Sequence, residues 1–280
     1  MPRKLNRTRR LPGFGLTLGF TIFYLTIVVL VPILALLMKS LTMGWDEFLA
    51  TMTNPRVLVS IRLTFGAALI ASLANLLFGS IAAWSLVRYR FPGSTILDGL
   101  VDLPFAMPTA VSGIALMALF GPNGPIGSAL LPWGIKTAIS PLGIIIAMIF
   151  IGFPFVVRTL QPAIEDLDLE MEQAAASLGA TRFQTFTRVI VPSLLPAAIT
   201  GFTLSFARSL GEYGSVVFIA GNLPMKTEIA SFLISARIDE NDIAGASAIA
   251  MVLLVSTLAI LMIIQGIQWI TGRRTGRVGG

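Results

Sequence analysis

The sequence contains neither cysteine nor histidine. Without cysteine there is no disulfide, no thiolate metal site and no redox pair. Without histidine the commonest metal ligand and general base are missing, and with them any Ser–His hydrolytic arrangement. Charge is scarce as well. Lys, Arg, Asp and Glu make up 12% of the chain, against roughly 25% in an ordinary soluble domain. Apolar residues make up 55% of the 280 positions and mean hydropathy is +0.85. One soluble domain of this size would lack the charge to cover its surface, so the chain reads as an integral membrane protein.

What charge there is leans basic, with a formal net charge of +6 and a pI near 10.3. In a membrane protein such an excess reflects topology, because Lys and Arg collect in cytoplasmic loops. No nucleic-acid partner is expected; the lipid bilayer is.

A membrane span needs about 20 mostly apolar residues. No charge occurs between Arg10 and Lys39, so a first helix fits within Phe14–Met38. The basic residues before it resemble a signal-peptide start, but the apolar run exceeds an h-region of roughly 7–15 residues and no small-x-small site follows, so the helix is read as retained. Further spans are expected over Leu63–Val87, Leu103–Phe120, Ile139–Val157, Pro192–Ala220 and Ala246–Ile270. With the N-terminus inside, the cytoplasmic segments hold 13 Lys and Arg and the outer loops six. That bias places both termini in the cytoplasm.

Glycine and proline interrupt several spans, as in LPFAMPTAVSG (Leu103–Gly113) and the loop GPNGPIG (Gly121–Gly127). Freed backbone groups in a membrane must be satisfied by neighbouring helices or by water. These are ordinary kinks and loops, or a broken helix lining a pathway. No internal repeat or low-complexity tract stands out.

The segment between the fourth and fifth spans differs in composition. Glu165, Asp166, Asp168, Glu170 and Glu172 fall within eight positions, at the start of an apolar stripe of Ile164, Leu167, Met171, Ala175 and Leu178 spaced as on one helix. Gly179 is placed to stop that helix. Thr181 and Gln184 form a capping-box pair opening a second, which would show Phe183, Phe186 and Val189 or Ile190 on one side before Pro192. The stripe of this hairpin packs on the protein's own spans, or on a separate cytoplasmic partner.

The run Gln173-Ala174-Ala175, three residues, Gly179, nine residues, Val189-x-Val191-Pro192 resembles the EAA loop of binding-protein-dependent ABC importer permeases, whose pattern is Glu-Ala-Ala, three residues, Gly, nine residues, Ile-x-Leu-Pro. Every spacing matches. The departures are Gln173 for Glu, with Glu172 adjacent, and valines at 189 and 191. Leu103–Leu116, Phe155–Glu165 and Phe206–Asn222 are similar to sulfate/thiosulfate permease subunits of the CysT type, with molybdate permeases the nearest relatives. The likeness runs from about Thr51 to the end of the sixth span.

This resemblance implies an all-α, six-helix type I ABC importer permease (MetI-like) fold in a bacterial plasma (inner) membrane. It divides the chain into a cytoplasmic basic tail 1–13, a first helix and outer loop 14–58, an ABC transmembrane type-1 domain 59–270 containing the EAA-like loop 165–192, and a basic tail 271–280. It also implies a second permease subunit, two ATPase subunits and an external sulfate-binding protein. The ATPase-docking loop would comprise Glu172, Gln173, Ala174, Ala175, Gly179, Val189, Val191 and Pro192. The chain carries no GxxxxGK[ST] motif, so it is read as a non-catalytic subunit without cofactor, ATP and magnesium being held by the partner ATPase.

Within the fifth span, Arg208 and Glu212 stand four residues apart on one helical face, about 21 Å along a helix beginning near Leu194. The pair braces the helix by neutralising itself, or it forms part of a gate or anion path, with Gly211 and Gly214 permitting local unwinding. An arginine offers paired hydrogen bonds to an oxyanion, whereas the glutamate opposes tight dianion binding. Other readings are a molybdate or tungstate permease and an ion-coupled secondary anion transporter, in which the hairpin would have no purpose. An intramembrane enzyme lacks reagents, and a channel lacks a filter signature.

Overall fold

The computed structural model describes the backbone of residues 14–275 and the side chains of residues 14–266 and 268. The basic tails expected at 1–13 and 271–280 lie outside the described residues, apart from helical backbone as far as Thr275. Every regular element among the described residues is helical, and six are long and apolar enough to cross a membrane. They are α1 (Phe14–Leu41), α3 (Pro55–Arg88), the broken α6–α7 segment within Thr109–Trp133, α8 (Pro141–Glu165), α10 (Arg182–Leu210) and the apolar part of α13, Ile243–Gly266. Shorter helices are α2 (Trp45–Thr53), α4 (Ser94–Val101), α5 (Leu103–Ala106), α9 (Leu169–Ser177), α11 (Gly214–Ala220) and α12 (Ala230–Asp239); α6 spans Thr109–Phe120 and α7 Pro125–Leu130.

Capping chemistry moves several helix boundaries from those expected. The second span begins at Pro55, because Asn54 accepts the Arg56 N–H at 2.9 Å and proline suits the first helical turn. The fourth begins at Pro141 behind the Ser140 cap and continues past Val157 to Glu165. The third is no continuous helix over Leu103–Phe120. Met107 is extended (φ −94, ψ 135) between α5 and α6, because a residue before proline is driven out of the α region. The fifth does not start at Pro192. Its helix opens at Arg182 and runs through a wide turn, in which the Val191 N–H reaches the Phe186 carbonyl, and ends at Leu210. A like turn precedes Pro32 in α1. In both places an i→i+5 turn absorbs the missing proline N–H.

The core is a three-helix contact of α3, α8 and α10. Small residues mark the crossings. A Cβ on Gly79 would lie 2.9 Å from a Val156 methyl, and one on Gly201 would lie 3.1 Å from the Val156 backbone. Such residues let helices approach closely where lipid offers no hydrophobic contrast. Ala67, Ala68, Ala71, Ile144, Met148 and Phe206 fill one half of this core; Ala83, Val156, Val157 and Leu160 fill the other. By contrast α1 is exposed along its whole apolar window and leans on α13 through its C-terminal half.

Candidate functional site: the hairpin and the broken helices

The stripe expected on one helix is divided between two. Helix α8 ends at Glu165, and Asp168 starts α9 by accepting the Glu170 N–H at 2.9 Å. Aspartate is a strong N-cap, so the cluster of acids separates the helices as well as charging the first turn. Ile164 consequently belongs to the membrane core, whereas Leu178 is 89% exposed.

The hairpin turn follows its glycine. Gly179 has φ +82; its N–H donates to the Ala176 carbonyl at 2.9 Å and the Ala180 N–H to the Ala175 carbonyl at 3.0 Å. These are the two bonds of a Schellman C-cap. Thr181 and Gln184 then exchange a capping box, Thr181 N–H to Gln184 Oε1 at 2.9 Å and Gln184 N–H to Thr181 Oγ1 at 3.3 Å. Among the described residues beyond its chain neighbours, no atom lies within 4 Å of a Cβ built on Gly179, so the turn points into open space. Gln173 and Ala174 are exposed and Ala175 half-buried; Val191 and Pro192 are exposed and Val189 half-buried.

The second arm divides its apolar side chains. Ile190 is buried and Phe186 meets Trp84 edge-on at 6.2 Å, while Phe183 is 75% exposed. The hairpin therefore packs partly on its own spans and leaves Leu178 and Phe183 outward around a glycine turn. Glu172 forms an ion pair with Arg88, at the end of α3. The Arg88 guanidinium also sits 5.0 Å from the centre of the Trp84 ring.

Arg208 and Glu212 meet at 2.7 Å, but across the end of α10 and not within a continuous span. Glu212, 1% exposed at its side chain, also accepts the Ser215 N–H and hydroxyl, both at 2.8 Å, on its other oxygen. The carboxylate thus caps α11 while the guanidinium closes the C-terminal turn of α10, each charge facing the favourable helix end. Here the chain is unwound from Gly211 to Tyr213. A Cβ on Gly214 would strike Thr109, and one on Gly113 would approach the Ser215 carbonyl to 2.5 Å. The starts of α6 and α11, two half-helices, are thereby packed together.

Three polar sites left no local signal in the sequence, because their partners are distant along the chain. Arg158 holds Asp102 at 2.8 and 2.6 Å, Asp98 at 2.6 Å, the Asp98 carbonyl at 2.8 Å and Gln161 at 2.6 Å. Asp98 is held below the usual carboxylate range by hydrogen bonds from Gln161 and then Arg158. At the opposite end, Arg56 grips the buried Glu228 in paired bonds of 2.8 and 2.7 Å. Between them, Asn75 donates to Ser205 at 3.1 Å inside the core. Among the described residues no cluster of three or more acidic metal ligands occurs.

Comparison with known proteins joins these features. The chain is 49% identical over 266 residues to the sulfate transport system permease protein CysT of Salmonella typhimurium, covering 95% of this chain and 96% of that protein. It is 46% identical to the protein of that name from Synechocystis, covering 97% and 95%. Its fold is similar to that of a chain in the crystal structure of a bacterial ABC transporter that imports alginate, with a TM-score of 0.74 at 16% identity, covering 91% and 94%. An amino acid ABC transporter chain matches with a TM-score of 0.53 at 19% identity, covering 83% and 100%. A family model, the binding-protein-dependent transport system inner membrane component, matches residues 75–268. The chain, a multi-pass membrane protein with a protruding glycine-turned hairpin, belongs to the family of binding-protein-dependent transport system inner membrane components.

Proposed function

We propose that this chain is the permease subunit of an ATP-driven importer that passes sulfate, and thiosulfate with it, across a bacterial inner membrane. The single observation that carries the proposal is the near-full-length identity of 49% to a permease named for sulfate transport. The hairpin gives the machine its mechanical input. Leu178 and Phe183 are exposed beside a turn whose Gly179 has open space around it among the described residues, an arrangement suited to a groove on a separate ATPase. Ala174, Ala175 and Gly179 allow close backbone approach there.

The partners are two ATPase subunits, a second permease and an external sulfate-binding protein; a solved relative of the same fold is an alginate transporter in complex with a periplasmic protein. The 13-to-6 charge bias supports a cytoplasmic position for the termini and hairpin. ATP-driven closure of the ATPases moves the hairpins, and the spans alternate between inward- and outward-open states. Arg208 and Glu212 hold the break between α10 and α11. The free part of the Arg208 guanidinium, 32% exposed, gives a passing oxyanion a weak contact. Selection of cargo rests with the binding protein.

Labelled sulfate uptake into liposomes holding the assembled complex, with binding protein and ATP, tests the cargo. Uptake that excess molybdate barely lowers supports a sulfate permease. Uptake of molybdate in its place would keep the machine and change the cargo.

A further inference from the structure

Helix α9, the first arm of the hairpin, has no buried residue. Its main packing is against the start of the second arm. Among the described residues, the one side-chain hydrogen bond or ion pair shown between α9 and a membrane span is Glu172 with Arg88. The second arm touches the same place, since Phe186 lies on Trp84 and Trp84 lies beneath the Arg88 guanidinium. Both arms are therefore gathered onto the last turn of α3.

That junction is a bridge across a gap. A cavity of about 660 Å³ opens between α3 and α10 beside it, lined by Trp84, Tyr89, Ile164, Phe186 and Leu194 among others. Phe186 and Trp84, both in its lining, meet across it, and the Arg88–Glu172 pair ties α9 to the same turn of α3. Arg88 and Glu172 are 19% and 29% exposed, which leaves the pair less screened than a surface ion pair. The Arg88 Nε is buried with no hydrogen-bond partner among the described residues, so removing Glu172 leaves a half-buried cation still poorer in acceptors.

We infer that Arg88 and Glu172 are positioning residues that bind the hairpin to α3, so that hairpin and helix move as one body when the ATPase moves. The inference rests on the docking role proposed above for the hairpin. Helix α3 suits the task. Its 34 residues extend about 51 Å at 1.5 Å per residue, it packs on both α8 and α10, and its far end is locked through Arg56 to Glu228. Displacement of the hairpin thus tilts a rigid rod that reaches the opposite face.

The test uses the reconstituted complex and reads sulfate uptake per ATP hydrolysed. Arg88→Gln is expected to retain the ATPase on purification yet lower that ratio about tenfold, the effect of one lost charge-assisted hydrogen bond, and Glu172→Gln, which stands in the docking loop itself, is expected to lower it at least as far. The exchanged pair, Arg88→Glu with Glu172→Arg, is expected to recover most of it. A second measurement leaves both charges in place. Arg90→Cys and Glu170→Cys, introduced into this cysteine-free chain, carry spin labels whose separation is predicted to be the same with and without ATP. A wild-type ratio in both single variants, or a label separation that changes with nucleotide, overturns the inference. The label result decides if the charge variants do not assemble. Wild-type uptake indifferent to ATP would instead overturn the importer reading beneath it.

Discussion

Arg208 and Glu212 face each other at 2.7 Å across the point where α10 stops, before the chain restarts as α11. Glu212 gives one oxygen to the guanidinium and the other to Ser215, so the carboxylate is fully engaged by its own chain. Glu212→Ala would leave the partly exposed Arg208 guanidinium and the Ser215 N–H and hydroxyl without their partner, a loss of about 1–3 kcal/mol. Arg208→Ala keeps both Ser215 bonds but leaves the buried Glu212 carboxylate without its cation, and is expected to cost more, roughly 3–5 kcal/mol. Unfolding of the two variants in detergent checks that order. If Arg208→Ala assembles normally, loss of uptake supports its place in the anion path, and full uptake refutes it.

The abutting half-helices make glycine replacement unequal. Gly113→Ala would press a methyl against the Ser215 carbonyl, with an overpacking cost of about 1–3 kcal/mol. Gly66→Ala, inside α3 where nothing lies within 4 Å, is expected to be neutral or to stabilise by up to about 1 kcal/mol through helix propensity. Thermal melts of the purified chain distinguish them.

Asp98 makes the loop after α3 sensitive to acid. Gln161 and Arg158 hold its carboxyl below the usual range, so its contribution is complete above the ordinary carboxylate pKa of about 3.9 and disappears as pH falls through the lower folded value. Loosening of residues 94–102 is expected below about pH 4, seen as faster hydrogen exchange. Asp98→Asn should flatten that dependence and show weaker protection at neutral pH.

Turn conformation and docking at Gly179 can be told apart. Its φ of +82 disfavours most side chains, but asparagine tolerates that region, and no neighbour obstructs it. Gly179→Asn should therefore fold and insert normally while blocking close approach of an ATPase. Gly179→Asp should do the same with a charge added. Stimulated ATP hydrolysis that stays normal in both would remove the docking claim.

The spans were legible in the sequence because charge-free runs have no other use in a chain with this little charge, and the hairpin turn because Gly179, Thr181 and Gln184 signal locally. The Asp168 break was not read, since the spacing from Ile164 to Leu178 fits one helix as well as two, and only packing of Ile164 into the core separates them. The start of the fifth span at Arg182 was missed because Pro192 looks like a helix opening, until a wide turn accommodates it. Arg88, Arg158 and Arg56 read as topology charges; Glu172, Asp98 and Glu228 lie 84, 60 and 172 residues from them, and no periodicity reports such pairs.

In the proposed function, ATP hydrolysis drives sulfate through this chain by way of the hairpin. Following both together in proteoliposomes, with wild type beside Gly179→Asn, tests it most directly. Uptake in wild type is expected to require ATP and the ATPase, and the variant to lose uptake and stimulated hydrolysis in parallel. Wild-type uptake persisting without ATP or without the ATPase would contradict it and point to an ion-coupled transporter.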